Sequence, residues 1–244
     1  MTSIVAEKTK FSDRMFKILE NVEYRCARTF EEKRDIYRLR YQAYLREGAL
    51  DPNVEESFSD QYDLSPNVWI IGVHINRQLA ASIRLHIARE PFDEIPARES
   101  FADIVEPRLA SGGSLLDPTR FVANLAHSLA YPELPFIALR ICMLAGVYFK
   151  PRYMLATVRA EHQAFYKRAF GYEPLSDARP YLKLKKPLSC MELRCDDKED
   201  FFSNRYPFFV STSFERARIF DISSNNVSYR EVNEMTNLGQ TDRT

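Results

Sequence analysis

Glycine is scarce in this chain, 7 of 244 residues, whereas Tyr and Phe contribute 13 and 17. No G-x-G-x-x-G turn joins a strand to a helix, which excludes the dinucleotide-binding βαβ unit. Tryptophan occurs once, at Trp69, and the 4 cysteines (Cys26, Cys142, Cys190, Cys195) have no C-x-x-C spacing. They read as reduced, mostly buried thiols of a cytosolic protein. A Cys190/Cys195 metal pair has no second ligand pair nearby. Neither sign of charge is in excess, with 34 Lys plus Arg against 34 Asp plus Glu. Bulk charge therefore favours neither nucleic acid nor a membrane surface as partner. No apolar run is long enough to span a bilayer, and the start has no apolar signal-peptide region, so a cytoplasmic location is expected. Internal repeats and low-complexity tracts are also missing.

What is present is a chain 45% hydrophobic and 28% charged, enough to bury one large core. Residues 1–21 read as a helical arm with a short helix around Asp13–Leu19. Val22–Arg28 alternates like a strand. Thr29 is an N-cap, with Glu31 and Glu32 in the first turn of a helix that stops at Gly48. Val68–Ile75 and Leu79–Ala88 form a hairpin around Asn76-Arg77-Gln78. A short helix at Phe101–Ala110 precedes a strand at Leu115–Val122 that Pro118 is expected to bend or bulge. An apolar helix at Phe136–Phe149, a strand at Tyr153–Val158, a helix at Ala160–Phe170 ended by Gly171 and strand character over Leu182–Cys195 follow. The order β-α-β-β-α-β-α-β-α-β predicts a mixed α/β (α+β) domain over residues 22–195, a central mixed twisted sheet flanked by helices. Residues 196–244 read as an extension, partly helical and then frayed.

Three separated segments carry charge where strands are expected: Asp60 and Asp63 before one strand, Arg84 inside another, and Asp117 with Arg120 inside a third. Buried charge is costly unless paired or used, so these residues are candidates for one polar site. An architectural ion-pair network of Arg40, Asp60 and Asp63, with Arg120 pairing to Asp117 or Asp63, is the competing reading. His74, His86 and His162 have no ligand spacing and read as structural or surface groups.

The element order, with His162-Gln163-Ala164-Phe165-Tyr166 leading to Gly171-Tyr172, resembles the GNAT acyl-CoA N-acyltransferase fold. Leu39-Arg40-Tyr41-Gln42-Ala43-Tyr44, Asp60-Gln61-Tyr62-Asp63, Arg84-Leu85 and Asp117-Pro118-Thr119-Arg120-Phe121 resemble the signature blocks of acyl-homoserine-lactone synthases and, more closely, of N-acyl amino acid synthases. The resemblance covers about Tyr24 to Cys195. Ala49 stands where the lactone synthases usually carry a Trp soon after the first helix, and Asp117 replaces their Glu. This counts against an S-adenosylmethionine site. Val122–Pro132 lacks the glycine-rich loop with which acetyl-CoA enzymes cradle a pyrophosphate.

The resemblance thus implies a fatty acyl group carried by acyl carrier protein, whose own phosphopantetheine replaces any cofactor, and an amino acid acceptor. Asp117, supported by Asp63, would deprotonate the acceptor's ammonium, and Arg84 and Arg120 would hold its carboxylate. The kinked strand would offer backbone N–H groups to the oxyanion. Arg40, Asp60 and Phe121 complete the site. Tyr166 is either core packing or the acid that its counterpart supplies in acetyl-CoA relatives. A split between the apolar helix and Tyr153–Val158 would admit the acyl chain. Arg140, Lys150, Arg152, Arg159, Lys167 and Arg168 would form a basic rim for the acidic carrier. A lactone synthase, a CoA-dependent acetyltransferase and a non-catalytic ligand-binding module are the alternatives. The extension from residue 196 has two open readings, a cover for the acyl channel or a homodimer contact.

Overall fold

The computed structural model describes residues 2–196, 202, 204–221 and 227–228, with side chains from Lys10 to Asp221. The remaining residues, where the frayed tail is expected, lie outside the described residues. Helix α1 (Thr2–Leu19) leads into strand β1 (Val22–Cys26) and helix α2 (Phe30–Arg46). Thr29 and Glu32 cap α2 reciprocally: the Thr29 side chain accepts from the Glu32 N–H, and Glu32 accepts from the Thr29 N–H at 3.0 Å. A 3-10 turn at Gln61–Leu64 precedes the hairpin of β2 (Val68–Ile75) and β3 (Gln78–Ala88). Asn76 and Arg77 both take positive φ at its tip, 51° and 66°, the conformation whose twist suits a tight hairpin.

Helix α3 (Ala97–Ala110), strand β4 (Leu115–Ala123), helix α4 (Leu125–Ala130), helix α5 (Leu134–Phe149), strand β5 (Tyr153–Val158) and helix α6 (Ala160–Phe170) follow. Gly171 ends α6 at φ 75°, where a side chain would be strained. Strands β6 (Glu173–Pro174), β7 (Arg179–Tyr181) and β8 (Leu184–Arg194), helix α7 (Ser213–Phe220) and strand β9 (Val227–Ser228) complete the described chain. The sheet order is β6-β8-β5-β4-β3-β2-β1-β9, with β7 on β8. β4 and β5 are parallel and the other pairs are antiparallel.

The main core lies between the sheet and α1, α5 and α7. The helical arm packs on the domain, with Met15 and Leu19 fully buried in this core. One boundary expected from the sequence moves: the core does not stop at residue 195, since Phe208, Phe209, Ile219 and Phe220 belong to it. Arg140 explains this shift. It sits fully buried on α5, bonds the carbonyls of Phe208 (2.7 Å) and Val210 (3.1 Å), and pairs with Glu215 of α7 at 2.5 Å. A guanidinium so enclosed presents nothing to a carrier protein, so Arg140 leaves the expected basic rim.

Candidate active site

The three charged segments meet on the sheet face that α2 and α3 cover. Arg40, from α2, donates to both carboxylate oxygens of Asp63 at 2.8 and 2.9 Å. Arg84, from β3, bridges Asp60 at 2.5 Å and Asp63 at 3.0 Å, and its Nε donates to Thr119 Oγ1 at 3.1 Å. Arg120, from β4, closes on Asp60 at 2.6 Å. The 3-10 turn supplies both acids in one short loop, with Asp60 capping it through the Tyr62 N–H at 3.1 Å. Burial disfavours the charge on Asp60, but Arg84 and Arg120 outweigh it and hold the pKa down at about 2. Asp63 is likewise lowered, with Arg40 and Arg84 overcoming its burial. Three guanidiniums face two ionised carboxylates. Arg40 Nε and Nη2, Arg84 Nη2 and Arg120 Nη1 are buried without a partner among the described residues.

A bulge in β4 puts Arg120 in this network. Ser82 pairs with Val122 and Arg84 with Thr119, so Arg120 and Phe121 together oppose Ile83. Arg120 takes φ 56°, a left-handed conformation costing a non-glycine residue about 1–2 kcal/mol. In a regular strand Thr119 and Arg120 would point to opposite faces. The bulge lets both reach the Arg84–Asp60 pair. The irregularity expected at Pro118 therefore falls two residues later. Pro118 has a different effect: it supplies no ladder N–H, and β4 pairs with β5 only through Leu115 and Leu116 before the strands part.

Asp117 lies opposite His86 in the β3–β4 register, fully buried. One carboxylate oxygen accepts the Ala97 N–H at 2.9 Å, while the other has no partner among the described residues. Burial raises its pKa to about 7 despite the Ala97 bond, Arg84 and Arg120. Burial next to Arg84 pushes His86 down to about 3, keeping it neutral with Nε2 2.9 Å from the Tyr62 carbonyl.

The parting of β4 and β5 opens a cavity of about 550 Å³. Leu139, Cys142 and Met143 of α5 and Leu155–Val158 of β5 both line it, so the space expected between that helix and that strand is part of this cavity. Phe121, Leu139, Met143, Leu155 and Phe165 give apolar wall; Arg46, Glu47, Arg159 and Lys186 give charged wall. Of the candidate site residues, Arg120, Phe121 and Tyr166 line it, whereas Arg40, Asp60, Asp63, Arg84 and Asp117 do not. Sequence reasoning missed Tyr44, Thr119 and Tyr181 as lining residues. Arg120 lies over the rings of Phe58 (4.8 Å) and Tyr44 (5.8 Å). Tyr181 escaped because Arg179-Pro180-Tyr181 is too short and too proline-marked to read as a strand.

The rest of the expected basic rim divides. Lys150 and Arg152 precede β5 and Arg159 follows it, so this strand, roughly 20 Å long, separates them. Lys167 and Arg168 occupy the last turn of α6. Arg159 is engaged by Glu47 at 3.0 Å and Glu161 at 3.2 Å. These cations do not form one edge.

The model of the N-acyl amino acid synthase FeeM family matches residues 35–194, well over half of the chain. The chain belongs to the FeeM N-acyl amino acid synthase family. It is an acyltransferase, and its substrates are an acyl group and an amino acid. Every signature block, from Leu39 to Phe121, falls within the matched residues. The structure of FeeM, an N-acyl amino acid synthase from uncultured soil microbes, superposes with a TM-score of 0.60 at 13% identity, over 72% of this chain and 92% of FeeM. The acyl-homoserine-lactone synthase LasI superposes with a TM-score of 0.56 at 13% identity, over 79% of this chain and 96% of LasI. Both share the GNAT-like fold. No curated protein sequence matches the chain.

Proposed function

We propose that this protein transfers a fatty acyl group from acyl carrier protein to the α-amine of an amino acid. The observation that carries the reading is the cavity between β4 and β5, apolar along α5 and α6 and bounded by Arg120 on the side of the charged network. A thioester placed at the β4 bulge has its chain in the apolar part. The acceptor's carboxylate meets Arg120, whose buried Nη1 has no partner among the described residues. Three guanidiniums against two carboxylates leave one positive charge for that anion to balance.

Asp117 is the proton acceptor in this reading. A carboxyl held near neutral pH is suited to take the ammonium's proton. Asp117 does not touch the cavity, so the proton reaches it through an intermediary. Tyr181 lines the wall and feels the charge of Asp117. Asp63, held between Arg40 and Arg84, orders the network rather than moving protons.

The start of α5 supports this choice of donor. Glu133, largely buried, stands at its N-cap and pairs with Arg14 at 3.1 Å. A carboxylate there opposes a pyrophosphate, which needs free N–H groups and positive potential. Acyl phosphopantetheine without the nucleotide meets no such conflict, and no resident cofactor is needed. The test is mass spectrometry of the protein given long-chain acyl carrier protein, or the same acyl-CoA, with mixed amino acids and Asp117→Asn as control. An N-acyl amino acid formed from the carrier-bound donor and only by the wild type is expected. Product formed equally well from acyl-CoA would overturn the donor assignment, and wild-type activity in Asp117→Asn would remove Asp117 as acceptor.

A further inference from the structure

We propose that the C-terminal segment Tyr206–Phe209 sets the longest acyl chain the enzyme accepts, by backing Phe170 at the floor of the cavity. This rests on the reading of the cavity as the acyl site.

The cavity has a direction. β4 and β5 are paired at Leu115 and Leu116 and apart beyond, so the V closes at its apex there and opens toward Val158. The β4 bulge at Arg120 and Phe121 lies toward the open end. Helix α6 starts where β5 ends and runs back toward the apex; its 11 residues cover about 16 Å. His162, Phe165, Tyr166 and Phe170 line the cavity along that whole length. On α5 the lining runs from Leu134 to Cys142 and Met143, about two turns further on. The floor, furthest from the reacting carbonyl, is therefore Phe170 with Cys142 and Tyr172.

Phe170 does not stand alone. Phe209 stacks on it at 6.0 Å with planes 16° apart, and Tyr206 and Phe202 lie 6.2 and 6.4 Å away. Tyr206 and Phe209 do not themselves line the cavity. The segment is fixed by Arg140, through the Phe208 and Val210 carbonyls and Glu215, and by Arg205, which donates to the Arg168 carbonyl at 2.8 Å. These backing residues lie beyond Arg194, where the family match ends. The floor of the family's cavity is thus supported in this chain by residues outside the matched core. Thinning the backing lets Phe170 retreat and deepens the cavity, while bulk added at the floor makes it shallower.

The experiment measures kcat/KM for a ladder of acyl carrier protein thioesters of increasing chain length, with wild type, Phe209→Ala and Cys142→Leu. Thermal unfolding of each variant is followed alongside. Phe209→Ala should move the cut-off to longer chains, raising the long-to-short ratio about tenfold, the scale of one methylene in an apolar pocket. Cys142→Leu should move it to shorter chains by a similar factor. Wild-type transfer with a cut-off that neither variant moves, or a loss equal at all lengths in both, overturns the proposal and leaves the acyl-transfer reading standing. Wild-type protein that transfers no acyl group of any length overturns both.

Discussion

Two buried arginine systems sit on opposite faces of one sheet and differ in how completely they are satisfied. On the α5 face, Arg140 spends Nε and both Nη atoms on Phe208, Val210 and Glu215. On the α2 face, Arg40, Arg84 and Arg120 share Asp60 and Asp63 and retain buried N–H groups without partners among the described residues. A buried polar group normally finds its partner, and each exception costs about 1–3 kcal/mol. Arg140 has the arrangement of a clamp. The α2 network keeps unsatisfied donors, and of its three arginines Arg120 alone reaches the cavity wall.

Removing the clamp should have the largest effect. Arg140→Met strands the Glu215 carboxylate in the core and should cost about 3–5 kcal/mol of stability. Chemical denaturation would measure it. The comparison fails if Arg140→Met is near neutral in stability while turnover per folded molecule collapses, because Arg140 would then belong to the site.

The next effect distinguishes the carboxyls by pH. The folded pKa of Asp60 is about 2, below its ordinary 3.8. Its contribution is present above pH 4 and lost as pH falls toward 2. Asp117 has the opposite sign: its folded pKa is about 7 against 3.8. The native state binds the extra proton between these values, so stability falls as pH rises from about 4 to 7, by at most about 4 kcal/mol. Asp117→Asn should flatten that slope, while its amide leaves a buried N–H unpaired, a cost of about 1–3 kcal/mol that does not vary with pH. Parallel wild-type and variant slopes from pH 4 to 7 would show that Asp117 ionises as freely when folded as when unfolded.

Much of the fold was readable from local pattern. β5 and α6 fall where periodicity places them, and the Thr29/Glu32 cap and the Asn76-Arg77 turn are short-range chemistry. The acid–arginine cluster was readable too, because charges inside apolar strand patterns need partners. What stayed hidden depends on distant residues. Nothing local to Arg140 separates a surface cation from a clamp, because its partner Glu215 is 75 positions away. Tyr181 becomes a wall residue only because β7 packs on β8. Which charged residues touch the cavity is decided by the β4 bulge, which brings Arg120 to the wall and leaves Asp117 behind it.

That distinction separates two arginines that look alike in the sequence. Arg120→Lys keeps the charge but loses the fork, and should raise the acceptor's KM about tenfold at modest cost in stability. Arg84→Lys, behind the wall, loses bonds to Thr119 and Asp60, and should lower stability with little change in that KM. Steady-state kinetics with varied amino acid and constant donor would measure both. Equal KM effects would mean that the acceptor reaches past Arg120 into the network.

The smallest effect concerns charges outside both systems. Lys186 lines the cavity on the charged side, whereas Lys150 and Arg152 are exposed beyond the other end of β5. Exposed charges steer association more than they bind, with effects of a few-fold that salt screens. Lys186→Glu should slow acyl carrier protein use about threefold at low salt, less at high salt, and spare short thioester mimics. The Lys150→Glu/Arg152→Glu pair should do little. A larger loss from that pair, confined to the carrier-bound donor, would place carrier docking at the closed end of the V and reverse the direction in which the acyl chain enters.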